Sequence, residues 1–261
     1  MRRNRLIVAS FIVMSMISGP VLAQFVGPGG AVPAVANLHG ENGSFWQSDV
    51  NVLNVSQSDT TIQMVLYPEI RHGEPAFSVK TSEPISIPAG RQLTITNIVQ
   101  STFGMIDVKG ALMIYSTDGA PLVISSRTYT YGSKGSYGQD VSSVLVTQKG
   151  WVAGIEEDSL YRTNVGIFWP WNQPAQSTIE IHSGNGALAG TGQITFSQAG
   201  LQQRSLASFG ISRLVSGYIV ITCSDAQSPW YGYATKVDGG VGNTGTNDAV
   251  YRPVRSYQPG Q

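Results

Sequence analysis

Residues 110–129, GALMIYSTDGAPLVISSRTY, decide the fold of this chain. Two runs rich in Leu, Ile, Val and Tyr flank Thr117-Asp118-Gly119-Ala120. Asp-Gly between such runs signals a β-hairpin, because the turn needs residues that tolerate positive φ. A second version of the unit lies at residues 217–237, GYIVITCSDAQSPWYGYATKV. Phe103-Gly104 precedes the first and Phe209-Gly210 the second, an offset of 106 residues. The offset predicts one β unit written twice.

The flanking sequence extends the same pattern. Residues 45–54 alternate apolar and polar side chains, and residues 61–67 form the next strand, stopped by Pro68. Residues 84–88, bounded by Pro84 and Pro88, fit an edge strand, where a missing backbone donor is tolerated. Ala89-Gly90 turns the chain into a strand at 92–95, residues 98–103 predict one helical turn, and the turn at 133–136 is expected to close a last strand pair with residues 141–146. The order then repeats. Residues 160–167 match 45–52 at an offset of 115, with Tyr161, Thr163, Asn164 and Val165 in place of Trp46, Ser48, Asp49 and Val50. Residues 177–181, 192–196 and 201–209 follow the segments at 60–64, 83–87 and 92–103. No helical period is sustained anywhere. Short strands at this spacing predict an all-β chain of two consecutive antiparallel β-sandwiches.

The first residues are read separately. Met1-Arg2-Arg3-Asn4-Arg5 is a basic region, residues 6–17 are apolar, and Val21-Leu22-Ala23 supplies small residues before Gln24, the order of a secretory signal peptide. The apolar run falls short of the roughly 20 residues a bilayer-spanning helix needs. The expected organisation is a signal peptide at 1–23, a flexible Gly/Pro/Ala tether at 24–37, a first module at 38–149, a second at 150–256 and a tail at 257–261. The expected location is secreted, periplasmic or cell-surface, with no transmembrane segment in the mature chain.

Removing the leader with its three arginines leaves 13 basic against 16 acidic residues, a net charge of −3. No basic stripe remains to hold phosphates, which argues against nucleic acid. Cys223 is the only cysteine. Without an internal disulfide each module must hold itself by its own core or against its twin. Cys223 itself reads as a small buried hydrophobe at a strand end.

Trp46-Gln47-Ser48-Asp49-Val50, then Ile87-Pro88-Ala89-Gly90, Phe103-Gly104 and residues 121–129, PLVISSRTY, together resemble tandem repeat modules of secreted bacterial proteins. The resemblance implies immunoglobulin- or fibronectin-III-like sandwiches, an extracellular setting and no assigned chemistry. It spans almost all of the mature chain, although Ala234-Thr235-Lys236-Val237 departs from the Ser-Ser-Arg-Thr-Tyr of the first copy.

Motifs for chemistry are sparse. His39, His72 and His182 lie too far apart in sequence for a metal pair on one strand. No Gly-x-Ser-x-Gly elbow offers a nucleophile. Glu156-Glu157-Asp158 and the glycine loop at 238–248 have calcium-like composition, but calcium takes six to eight oxygens, and the loop has Thr244 where the calcium-binding nonapeptide carries Asp. The expectation is no cofactor, no metal site and no enzyme. The one anomaly is aromatic. Trp169 and Trp171 stand where the first copy has Asn54 and Ser56, Trp230 and Tyr231 where it has Leu122 and Val123, and Tyr233 where it has Ser125. These five residues either pack between the modules or against the tether, or form a platform for a cell-surface glycan or another exported protein. A non-catalytic structural or adhesive role follows from the first reading, a binding module from the second.

Overall fold

The computed structural model describes residues 26–40, 43–71, 78–239 and 245–257. The leader, His72, the centre of the glycine loop and residues 258–261 lie outside the described residues. Among the described residues, apart from one short helix and 3-10 turns, the regular structure is β, and the strands pair antiparallel.

The first half contains β1 (Val26–Gly27), β2 (Gly29–His39), β3 (Phe45–Asn54), β4 (Thr60–Pro68), β5 (Lys80–Thr81), β6 (Ile85–Ile87), β7 (Gln92–Ile95), helix α1 (Ile98–Phe103), β8 (Val108–Ser116), β9 (Leu122–Gly132) and β10 (Gly135–Asp140). β8 lies between β2 and β4, and β3 lies between β7 and β9. The two groups join only at one corner, where residues 37–39 of β2 pair with 45–47 of β3. Between them sits one core, with Val32, Val35, Ile62, Met64, Leu66, Leu112 and Ile114 from one group and Val50, Val52 and Leu122 from the other. The alternation read in β3 and β4 places these apolar residues on the inner face.

The second half contains β11 (Leu145–Val146), β12 (Lys149–Glu157), β13 (Tyr161–Trp169), β14 (Ala175–Ser183), β15 (Leu188–Phe196), β16 (Gly200–Ser205), a 3-10 turn (Leu206–Phe209), β17 (Leu214–Cys223), β18 (Trp230–Asp238) and β19 (Ala249–Pro253). They form a sheet β12-β17-β14-β15 and a sheet β11-β18-β13-β16, with β19 also on β18. The order β2-β8-β4 thus recurs as β12-β17-β14, and β7-β3-β9 as β16-β13-β18. The two-residue strands β1 and β11 also correspond, since Val26 pairs with Val123 and Leu145 with Tyr231. Helix α1 and the 3-10 turn both end on a left-handed glycine, Gly104 at φ 65° and Gly210 at φ 80°, which is what the two Phe-Gly pairs encode.

Two expectations are corrected by these pairings. The units at 110–129 and 217–237 contain the expected strands and turns, but they are not hairpins. β8 already has β2 and β4 on its two sides, and β17 has β12 and β14, so β9 and β18 cross to the facing sheet. The Asp118-Gly119 turn is an arch, held by Thr60 Oγ1 and the Ala120 N–H donating to Asp118 Oδ1. The expected tether is also strand: residues 29–39 form β2, paired with β8 and buried at Val32, Val35 and Asn37. Its small residues serve close packing. A Cβ at Gly29 would stand 2.6 Å from the Ile114 carbonyl oxygen, and a register shift between Val32 and Val35 absorbs Pro33-Ala34.

Candidate functional site

Period-two alternation divides the aromatic anomaly between two faces. On β13, Val165, Ile167 and Trp169 enter the core of the second half, and on β18 so do Trp230 and Ala234. Phe168 and Tyr233 point the other way, into a smaller cluster with Ala31, Ala111 and Leu201, against which Tyr67, Tyr231 and Tyr251 pack. That cluster draws residues from both halves.

Each expected platform residue can be placed. Trp169 is 1% exposed, lies 6.4 Å from the Phe196 ring, and donates Nε1–H to the Gln173 carbonyl. Trp230 is fully buried in the same core. Tyr231 stacks on Phe168 at 5.8 Å, and Phe168 in turn meets Tyr67 of the first half at 5.1 Å. Tyr233 stacks on Tyr251 at 5.3 Å and donates its hydroxyl to Gln203 Oε1. Trp171 alone lies open, 40% exposed beyond the strand end, with Nε1–H bonded to the Pro229 carbonyl. The five residues therefore do not share a surface. Gly166 makes the packing possible: directly opposite Tyr233 in the ladder, a Cβ there would fall 2.1 Å from the Tyr233 ring.

Backbone groups cross the same junction. Ile70 N–H donates to the Leu201 carbonyl at 2.7 Å, next to a Glu69–Leu201 bridge. Glu69, 7% exposed, takes Lys109 Nζ at 3.0 Å and Arg71 Nε at 3.3 Å. Beside it a cleft of about 400 Å³ opens between the halves, reached by Trp46, Gln139, Arg162, Asn164, Gln203 and Tyr233 among others. Its cations are engaged, Lys109 by Glu69 and Arg162 by the Gly239 carbonyl and Asn247 Oδ1. Burial raises the Tyr231 hydroxyl, and raises Tyr233 and Tyr251 further, with Glu69 adding to Tyr233. These phenols stay neutral at ordinary pH and act as packing groups.

The remaining candidates have structural uses. Cys223 ends β17 in the core, and burial holds its thiol above the ordinary value, the opposite of a reactive cysteine. The acidic run is engaged by its surroundings: Glu156 pairs with Lys236 Nζ at 2.7 Å, buried Glu157 accepts the Thr163 N–H, and Asp158 accepts the N–H groups of Leu160 and Tyr161. His39 pairs with Asp107 at the surface, and His182 stacks on Tyr218 at 4.8 Å. Among the described residues no three His, Cys, Asp or Glu side chains gather as a metal set.

Phe168, Tyr67, Tyr251 and Glu69 are among the junction residues absent from the sequence-based expectations. A signal existed in Val165-Gly166-Ile167-Phe168-Trp169 and in Trp230-Tyr231-Gly232-Tyr233-Ala234. Unbroken apolar runs mark strands covered on both faces, and the first half supplies the second cover. No protein-family model matches the chain, and no curated protein matches it.

Proposed function

We propose that the chain is a secreted, non-catalytic structural or adhesive protein of the cell exterior, built from two immunoglobulin/fibronectin-III-like sandwich modules. The observation that carries this reading is where the extra aromatics go. Trp169 and Trp230 fill the second core, and Tyr231 and Tyr233 join the second half to the first through Phe168, Tyr67 and Tyr251. Large rigid side chains spent on joining two cores suit a stiff spacer, whose task is to hold a defined length and orientation. The recurring strand pairings support the doubled module, and the basic-apolar-small order of residues 1–23 supports export.

The test is expression of the full chain in a bacterial host with fractionation. The expected result is an exported protein beginning at Gln24 and recovered with the cell envelope. A product kept in the cytoplasm with residues 1–23 intact sinks the exterior reading. A glycan-binding role has one feature in its favour. Trp151, 38% exposed with Lys149 over its ring, shares the outer face of β12-β17-β14 with Tyr218 and His182. Polysaccharide retention lost on Trp151→Ala but kept on Trp171→Ala would favour that role.

A further inference from the structure

The two halves give the same sheet edge two different treatments. In the first half the outer side of β4 is covered by the three-residue β6 and the two-residue β5, separated by Ser82-Glu83-Pro84. Lys80, Glu83, Pro84 and Pro88 line that broken edge with charge and missing donors, the devices that keep a sheet from pairing with another chain. In the second half the same side of β14 carries β15, nine continuous residues, LAGTGQITF, with neither charge nor proline. Among the described residues no strand pairs with its outer side.

The open ladder groups can be assigned. Gln176 uses its N–H with Ser224 Oγ and its carbonyl with the Ser224 N–H, so its backbone faces away from β15. Gln176 stands opposite Thr195, which is therefore not hydrogen-bonded to it, and Thr195 points its carbonyl outward to Gln202 Nε2. The same phase holds for Gln193 opposite Thr178 and Thr191 opposite Glu180. The N–H and C=O groups of Thr191 and Gln193 thus point out of the edge, and both residues are exposed. The glycines beside them are fixed by the interior, since a Cβ at Gly192 would strike Phe209 and one at Gly190 would strike Ile211.

We infer that β15 is an association edge and that its occupant is a second copy of β15, running antiparallel about a two-fold axis at Gly192. In this register Thr191 of each copy exchanges backbone hydrogen bonds with Gln193 of the other. Only neutral side chains meet, so no like charges oppose the pairing. The two β12-β17-β14-β15 sheets become one continuous sheet. Growth stops at the dimer, because β12 at the far edge is interrupted by two register shifts and is bonded at Trp151 to Arg255. An isologous contact with blunted outer edges closes on itself.

The test is sedimentation velocity of the mature chain over a wide concentration range, joined to residue-resolved amide hydrogen exchange. The expected result is a monomer–dimer equilibrium in which the Thr191 and Gln193 amides gain protection as dimer forms. Thr191→Lys, which places like charges beside the axis on an exposed site, is expected to weaken association by about tenfold or more. Gln193→Pro, which removes a ladder donor, is expected to do the same, while Ser86→Lys on the blunted edge leaves association unchanged. Circular dichroism verifies that each variant is folded. A protein that stays monomeric at every concentration, or a dimer indifferent to Thr191→Lys with both amides unprotected, overturns the inference.

Discussion

Trp169 and Trp171 sit two residues apart and, had β13 run straight past Pro170, would share one face. Pro170 ends the strand, so one ring is buried and the other is left at the surface. Trp169→Ala is expected to destabilise by about 3–5 kcal/mol, as large aromatic truncations in a core do, and Trp171→Ala by less than about 1 kcal/mol. Urea denaturation of the two variants measures the difference; equal midpoints would contradict the placement of Trp169. The junction tyrosines give a pH signature. Tyr233 and Tyr251 have hydroxyls raised above the ordinary 10.0 by burial, so the neutral forms favour the folded state. Their contribution is complete below pH 10.0 and is lost as pH climbs through the raised values. Alkaline melting curves should therefore fall above about pH 10, and Tyr251→Phe should flatten that fall. At neutral pH the same change should cost little, because the Tyr251 hydroxyl is buried with no hydrogen-bond partner among the described residues. The core positions Val165 and Ile167 were legible in the sequence from period two alone. Period two places Phe168 on the outer face, and only the unbroken apolar run around it signals the cover that the first half supplies.

Strands and turns were legible because their causes are local: alternation for β3 and β4, proline boundaries for β6, a left-handed glycine at the end of α1. Partners were not. Asp118-Gly119 specifies a reversal, but whether the chain returns to the same sheet or crosses to the facing one depends on which edges are already occupied. Residues 26–37 resemble a tether in sequence for a related reason, since Gly, Pro and Ala are common both to flexible linkers and to strands packed too closely for larger side chains. The arch carries its own prediction. Gly119 has φ 80°, where a Cβ costs about 1–2 kcal/mol, so Gly119→Ala should lower stability by that order. Asp118→Ala removes the acceptor for Thr60 and Ala120 and should cost a further 0.5–2 kcal/mol or so, the range for a lost cap. If thermal melts of both variants overlay the parent, the arch is held by its strands and not by its turn.

At the scale of the whole molecule, each half has its own core, and a third, smaller cluster draws on both. A chain cut within residues 147–150 should therefore give two β-rich fragments by circular dichroism. The second fragment would expose Phe168, Tyr231, Tyr233 and Leu201, so the fragments should also rebind when mixed. In the intact chain the consequence is coupling. Phe168 is the middle ring between Tyr67 and Tyr231, and it has no exposed surface. Removing it takes away the apolar bridge while leaving the Ile70–Leu201 backbone bond between the halves. The parent protein should unfold in one calorimetric transition. Phe168→Ala should split it into two, the loss being about 3–5 kcal/mol of a cluster that belongs to both halves. Small-angle scattering of the same variant should show a broader spread of sizes than the parent. Two independent transitions already present in the parent, unmoved by Phe168→Ala, would mean that the halves touch without stabilising one another, and the rigid-spacer reading would fail with that result.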